Sequence, residues 1–204
     1  GFEPSKPEWK RQSRETEPDQ SIPDRWAERR KPWRGSATWR YLRDERHIPE
    51  QVIRLVIAHN LMREGPRGSM WAAHSDAAGI VTGWEERGPG WRGFASGGGK
   101  VLFRFGPATA RRICVTEAAI DAMSLASIEQ IRRDTLYVST GGGWSPATEI
   151  AIRLLAERPD ARLVAATDAN PQGEAFVARL RELAGELPCD FERSRPAAED
   201  WNAM

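Results

Sequence analysis

The sequence predicts an α/β domain with a mainly parallel sheet and flanking helices, preceded by a small α+β module. Three observations predict it. From Arg112 onward, short apolar runs alternate with helix-length amphipathic stretches, the rhythm of βαβ units around a parallel sheet. From Ser69 to Phe105, short β-type runs alternate instead with glycine-rich turns. Lastly, successive apolar runs of the second half end in polar or glycine residues: Glu117 after Val115-Thr116, Gly141-Gly142-Gly143 after Ser139-Thr140, and Asp168 after Ala166-Thr167. In an open parallel sheet, that C-terminal edge is where ligands bind.

The elements follow in order. Residues 1–35 are rich in Pro, Glu, Lys, Arg and Ser and hold no periodicity, which predicts a flexible arm. Residues 25–46 carry Arg25, Arg29, Arg30, Lys31, Arg34, Arg40, Arg43 and Arg46, interleaved with Trp26, Trp33, Trp39 and Tyr41. Such a mixture suits phosphates and stacked bases. It equally describes a solvated arm whose aromatics dock on the main body. Residues 36–108 form the small module. Stretches 39–46 and 49–59 read as short helices around a turn at His47-Ile48, with Pro49 in a first turn, where proline is tolerated. Strands are expected over 70–73, 80–84 and 101–105, with Asp76-Ala77-Ala78-Gly79 as a hairpin turn. Gly97-Gly98-Gly99-Lys100 precedes a strand, whereas a phosphate loop leads into a helix and closes on Lys-Ser/Thr. A flexible turn is the better reading, with Lys100 in reach of a nucleic-acid backbone. Residues 109–204 form the α/β domain, with strands at 113–116, 136–140, 163–167 and 189–192 and helices at 118–132, 146–158 and 174–186.

Composition limits the function classes. The chain has 204 residues, 40% hydrophobic and 29% charged, as expected of a soluble globular protein. No stretch approaches the roughly 20 apolar residues that span a bilayer, and no secretory signal opens the chain. A membrane partner is therefore not expected. The net charge of +1 does not by itself announce a polyanion. The 2 cysteines, Cys114 and Cys189, are too few and too distant for a zinc ribbon. Cys114 sits in an apolar run as a small core residue, and a reducing cytoplasm is the expected compartment.

A glutamate after one strand, a glycine turn after the next and Asp168-Ala169-Asn170 after the third resemble the Toprim fold of bacterial-type DNA primases, topoisomerases and some nucleases. The resemblance covers about residues 110–195. Upstream, Tyr41-Leu42, Arg46, Ile48-Pro49, Gly79, Gly83 and Arg87-Gly88 resemble the uncharacterised domain that precedes Toprim in plasmid and phage primase-like proteins. Asp200-Trp201-Asn202 resembles the Lys-Asp-x-Asn-Asp tail motif of the same group.

The resemblance implies primase-like nucleotidyl transfer on single-stranded DNA, in proteins of plasmid, phage or mobile-element origin. Glu117 is implied as metal ligand or general acid–base, and Asp168 as a ligand of Mg²⁺ or Mn²⁺. Asn170 stands where the family usually has a second Asp, and Glu199 where the tail usually has Lys. Gly141, Gly142 and Gly143 would let backbone approach a phosphate or nucleotide closely. Asp121, one helical turn after Glu117, would support the site, with Asp200 and Asn202 beside it. Arg87, Arg92, Lys100 and Arg104 would guide template. Nucleotides, single-stranded DNA and a helicase or other replication protein are the implied partners.

Two rival functions remain open. The same fold would serve a metal-dependent nuclease, or a catalytically silent nucleic-acid-binding module. The loss of a carboxylate at Asn170 favours the silent module, because it weakens a divalent site. Strand passage is disfavoured, since the only tyrosines are Tyr41 and Tyr137. Local structure alone also accounts for several of these residues. Glu117 suits a helix N-terminus, and Asp168 to Asn170 suit a turn before a helix. Asp200 and Asn202 read equally as a polar tail. His47, His59 and His74 show no ligand spacing and are assigned no chemistry. Trp71, Trp84 and Trp91 read as packing residues, and Trp144, just past the glycines, as the better base-stacking candidate.

Overall fold

The computed structural model describes residues 20–203. The expectations placed on residues 1–19 lie outside the described residues. The first described element, α1 (Ile22–Ala27), is capped by the Ser21 hydroxyl, which accepts from the Asp24 amide. Its Trp26 is 3% exposed and packs with the stacked pair Trp71 and Trp84, whose rings lie 4.1 Å apart. The described part of the expected arm is thus packed rather than free, because one large apolar ring finds an aromatic face to bury against.

Helix α2 (Ala37–Arg40) runs directly into a π-helical turn at Tyr41–Glu45, and α3 (Glu50–Ala58) follows Pro49. Four strands then form an antiparallel sheet in chain order: β1 (Met62–Glu64), β2 (Met70–Ser75), β3 (Val81–Gly88) and β4 (Trp91–Phe94). The hairpin turn at 76–79 forms as expected. The Asp76 side chain accepts from the Ala78 and Ile80 amides there.

The second sheet has the order β5-β7-β6-β8-β9. Its parallel strands are β6 (Arg112–Thr116), β7 (Thr135–Ser139), β8 (Arg162–Ala165) and β9 (Asp190–Arg193). Strand β5 (Phe103–Phe105) joins antiparallel to β7, although the expected boundary at 108/109 assigns it to the preceding module. Three helices cover this sheet: α4 (Ala119–Ile128), α5 (Pro146–Ala156) and α6 (Pro171–Gly185). The strands read as nearly continuous apolar runs because both faces are covered. Alternate residues divide between the faces. Cys114, Tyr137 and Val164 join a core with α4 and α3. Ile113, Val115, Leu136, Val138, Leu163 and Ala165 join the other, with α5 and α6. Burial pushes the Cys114 thiol up to about 12, so it is an inert packing group.

Side-chain caps set where α5 and α6 begin. Ser145 accepts from the Thr148 amide and Asn170 from the Gly173 amide, each with proline in the next position. The tail returns to the sheet through Trp201, whose indole N–H donates to the Ala166 carbonyl at 2.7 Å. Among the described residues, no helix is long and apolar enough to cross a membrane.

Leu163 is fully buried, whereas Ile150 on the outer side of α5 is 59% exposed. Leu163→Ala is expected to cost about 2–5 kcal/mol. Ile150→Ala is expected to stay within about 0.5 kcal/mol of the natural chain. Urea unfolding midpoints measure both.

Candidate active site

Strand β6 has β7 on one side and β8 on the other, and the helices that follow β6 and β8 pack on opposite faces. The crevice at their C-terminal ends is a topological switch point, where open α/β sheets bind ligands. Glu117 stands one position past β6, and Asp168 just past β8. They are 51 positions apart in sequence, yet the Glu117 carboxylate accepts from the Asp168 backbone N–H at 3.3 Å. Its other oxygen accepts from the Gln172 side-chain amide at 3.0 Å.

The acidic groups here are poorly compensated. Burial pushes the Asp168 carboxyl up to about 7, helped by the nearby charges of Glu117, Asp200 and Glu199 and opposed by Arg87. Asp168 Oδ1 is buried without a hydrogen-bond partner among the described residues. Burial also raises Glu117, against the hydrogen bonds from Asp168 N–H and Gln172. Asp121 is raised well above the usual carboxylate range by burial, then by Asp168, Asp200 and Glu85. Its side chain accepts from the Ala118 amide at the start of α4. Like charges held together in a site of low dielectric favour taking up a proton or a cation.

The opposite wall is basic. A cleft of about 580 Å³ is lined by Glu117, Asp121, Asp168 and Asp200 together with Arg46, Arg87, Arg92 and Lys100. Arg87 and Arg92 face each other across β3 and β4. Lys100 donates to the Gly141 carbonyl at 2.9 Å. The glycine turn lies between the two walls. Gly141 and Gly142 have φ of 67° and 65°, in the left-handed region where a side chain is strained. The Gly142 amide donates to the Glu117 carbonyl at 2.7 Å, which ties this turn to the acidic one. Gly143 packs against the Lys100 side chain.

The structure brings together Glu117, Asp121, Asp168, Asn170, Asp200, Asn202, Arg87, Arg92, Lys100, Gly141 and Gly142 in this cleft. Asp200 accepts from the Asn202 and Ala203 amides, and Asn202 donates to the Arg46 carbonyl. The tail is therefore folded into the site. Arg104 is not brought in. Its guanidinium donates to the Asp76 carbonyl, and burial lowers its pKa, so it anchors a turn rather than facing template. Trp144 is also a correction. It packs on Phe176 beneath Arg179 and donates to Glu149, and it does not line the cleft. Trp91, expected as packing, is 59% exposed. Residues the sequence reading missed are Arg46, Gln172, Glu85 and His74. Arg46 lay inside a resemblance motif and Gln172 in a helix start. Glu85 and His74 reach the site from an antiparallel hairpin, where no local pattern marked them.

Among the described residues, no group of three or more His, Cys, Asp or Glu side chains is gathered tightly enough to hold a metal ion. Both Glu117 oxygens are engaged, and Asn170 Oδ1 caps α6. The unpartnered Asp168 oxygen is the open donor. This set fits an ion such as Mg²⁺, which is commonly held by one or two carboxylates and completes its shell with water and phosphate oxygens.

Against this geometry, residues 114–204 match the family model described as Toprim-like. Residues 40–110 match the model of a protein of unknown function, DUF3991. The chain thus carries a Toprim-like domain preceded by a DUF3991 domain. The fold is similar to the RNA polymerase domain of Mycobacterium tuberculosis primase DnaG, with TM-score 0.52 and 15% identity over 82% of this chain and 71% of that one. The primase fragment of the bacteriophage T7 primase-helicase protein aligns with TM-score 0.49 and 19% identity over 69% of this chain. The alignment spans 59% of that fragment. No curated protein matches the chain.

The Asp168 carboxyl generates a pH dependence of stability. Its folded pKa lies above the unfolded value, so the native state holds more protons between the two and loses stability as pH rises from about 4 toward 7. Asp168→Asn removes this loss. The thermal midpoint of the variant is expected to gain on the natural chain steadily across that range. A constant difference between the two melting curves would contradict the assignment.

Proposed function

We propose that the chain performs primase-like nucleotidyl transfer on single-stranded DNA, with a divalent ion held by Glu117 and Asp168. The observation that carries this reading is the pairing of walls. Carboxylates with raised pKa face Arg87, Arg92 and Lys100 across one cleft. A site for a metal ion and a triphosphate needs both signs within one cleft, because the ion and the basic side chains share the phosphate charge. Bound there, Mg²⁺ or Mn²⁺ would stabilise negative charge on the transferring phosphoryl group and favour the ionised primer hydroxyl.

The chain's own residues do the rest. Asp168 supplies the open oxygen. Glu117 is oriented by the Asp168 amide and Gln172, and is placed to take part in proton transfer as the hydroxyl attacks. Lys100, held against the glycine turn, and the Arg87–Arg92 pair bind phosphate oxygens. Gly141 and Gly142 leave room for the nucleotide to approach the backbone. The DUF3991 domain provides the basic wall, and a helicase or other replication protein is the proposed partner.

The competing reading is a nucleic-acid-binding module without catalysis. The role of Asn170 favours it: a neutral side chain, already engaged as a helix cap, stands where the family usually has a carboxylate. Asn170→Asp distinguishes the two, since Asp caps a helix as well as Asn and adds one negative charge.

Calorimetric titration of Mn²⁺ is expected to show weak binding to the chain alone and tighter binding with a nucleoside triphosphate. Glu117→Ala and Asp168→Ala should each abolish that gain. In a primer-synthesis assay on single-stranded DNA, either substitution should lower incorporation by at least about 10²-fold. Incorporation that survives in Glu117→Ala would overturn the proposal. Metal binding or activity seen only in Asn170→Asp would establish the silent module in its place.

A further inference from the structure

Glu85 lies on β3, outside the sheet that carries Glu117 and Asp168, and the mechanism above does not use it. It is 3% exposed, and a buried carboxylate needs partners to remain there. The partners belong to the site. Helix α4 begins after Ala118, which has no side-chain oxygen to cap the orphan N–H groups of a first turn. The amide of Ala119 instead donates to Glu85 Oε2 at 2.9 Å. Glu85 Oε1 accepts from the Ser139 hydroxyl at 2.6 Å and lies 3.0 Å from His74 Nε2. Ser139 Oγ in turn accepts from the Gly141 amide at 3.0 Å. The hydroxyl also lies 3.1 Å from the Glu117 carbonyl, but the shorter, charge-assisted contact takes its proton.

His74 fixes the arrangement. It is wholly buried, and its Nδ1 has no hydrogen-bond partner among the described residues. Facing a carboxylate oxygen, Nε2 is the donor of this contact. The ring edge also lies under Gly141, where an added Cβ would meet His74 Cε1 at 2.9 Å. Burial, the largest single influence on Glu85, pushes its pKa up. The hydrogen bond and charge interaction with His74, then the bonds from Ser139 and Ala119, together outweigh it, so the group is held below the usual carboxylate value.

We infer that Glu85 is a positioning residue of the acidic site. It is a carboxylate of the antiparallel module that holds the Glu117 turn and the glycine turn in register. The module thereby completes the site of the Toprim-like domain, in addition to lining its basic wall. One carboxylate links the turn after β6 directly, and the turn after β7 through Ser139. Within the second sheet the same turns meet at the Glu117 carbonyl, through the Gly142 amide and the Ser139 hydroxyl, and Glu85 adds an anchor from outside that sheet. The inference rests on the reading of this cleft as a metal–nucleotide site.

Two substitutions test it. In Glu85→Gln, the amide oxygen still accepts from Ala119, but the NH₂ group faces Ser139 and His74 and cannot accept from either. Amide hydrogen exchange should then remain slow at Ala119 and quicken at Gly141 by about fivefold to tenfold, the ratio expected from one hydrogen bond of ordinary strength. Glu85→Ala should quicken both amides. In both variants, measured well below their thermal midpoints, Mn²⁺ affinity in the presence of a nucleoside triphosphate should fall by at least the same factor. Unchanged Gly141 exchange in Glu85→Gln, or unchanged Mn²⁺ affinity in both variants, overturns the inference. A natural chain that binds no Mn²⁺ with nucleotide sinks the reading of the site. The exchange pattern then decides by itself whether Glu85 couples the two turns.

Discussion

The acidic crevice is closed by the bond from the Asp168 amide to the Glu117 carboxylate. It joins the turns after β6 and β8, and the second Glu117 oxygen holds Gln172 in the first turn of α6. These turns can meet only if β6 and β8 are neighbours in parallel register, and that register needs apolar strands covered on both faces. The acidic crevice is therefore a consequence of core packing. Its chemistry comes from what the core cannot supply, a partner for the Asp168 carboxylate.

The site is assembled from both modules. The Toprim-like domain contributes carboxylates and the glycine turn, while β3, β4 and the following loop contribute Arg87, Arg92 and Lys100. Strand β5 crosses the apparent division and extends the second sheet as its antiparallel edge. The C-terminal tail closes another side, with Trp201 bonded to Ala166 and Asn202 to Arg46. The cleft thus has walls from segments far apart in the chain, and positive and negative charge are kept apart by separate backbones. Salt bridges within the cleft would have neutralised it. Glu85, a buried acid on the strand that carries Arg87, is instead consumed by His74, Ser139 and Ala119.

The local signals and their limits are visible in particular residues. Glu117 and Asp168 were legible because each follows an apolar run and precedes a helical pattern, and strand-end acids converge when the strands are parallel. The glycine turn was legible for the same reason. Asn170 was read as a site residue, and the structure shows its oxygen capping the start of α6. Arg104 was grouped with Lys100 by charge, yet one anchors a hairpin turn and the other reaches the cleft. Charge does not record direction: Arg104 lies within β5, whereas Lys100 lies in the loop before it.

The sequence by itself determined the order of elements from β6 onward, the two-sided burial of the parallel strands and the acidic edge, because these depend on hydrophobic period and on residues adjacent in the chain. Only the tertiary structure decided that Trp26 is a core residue, that β5 belongs to the second sheet and that Trp144 is spent on packing. It alone placed His74 and Glu85 beside the site. The physical reason is common to all of these. Each depends on what a side chain meets from a distant segment, and long-range contacts leave no local period in the sequence.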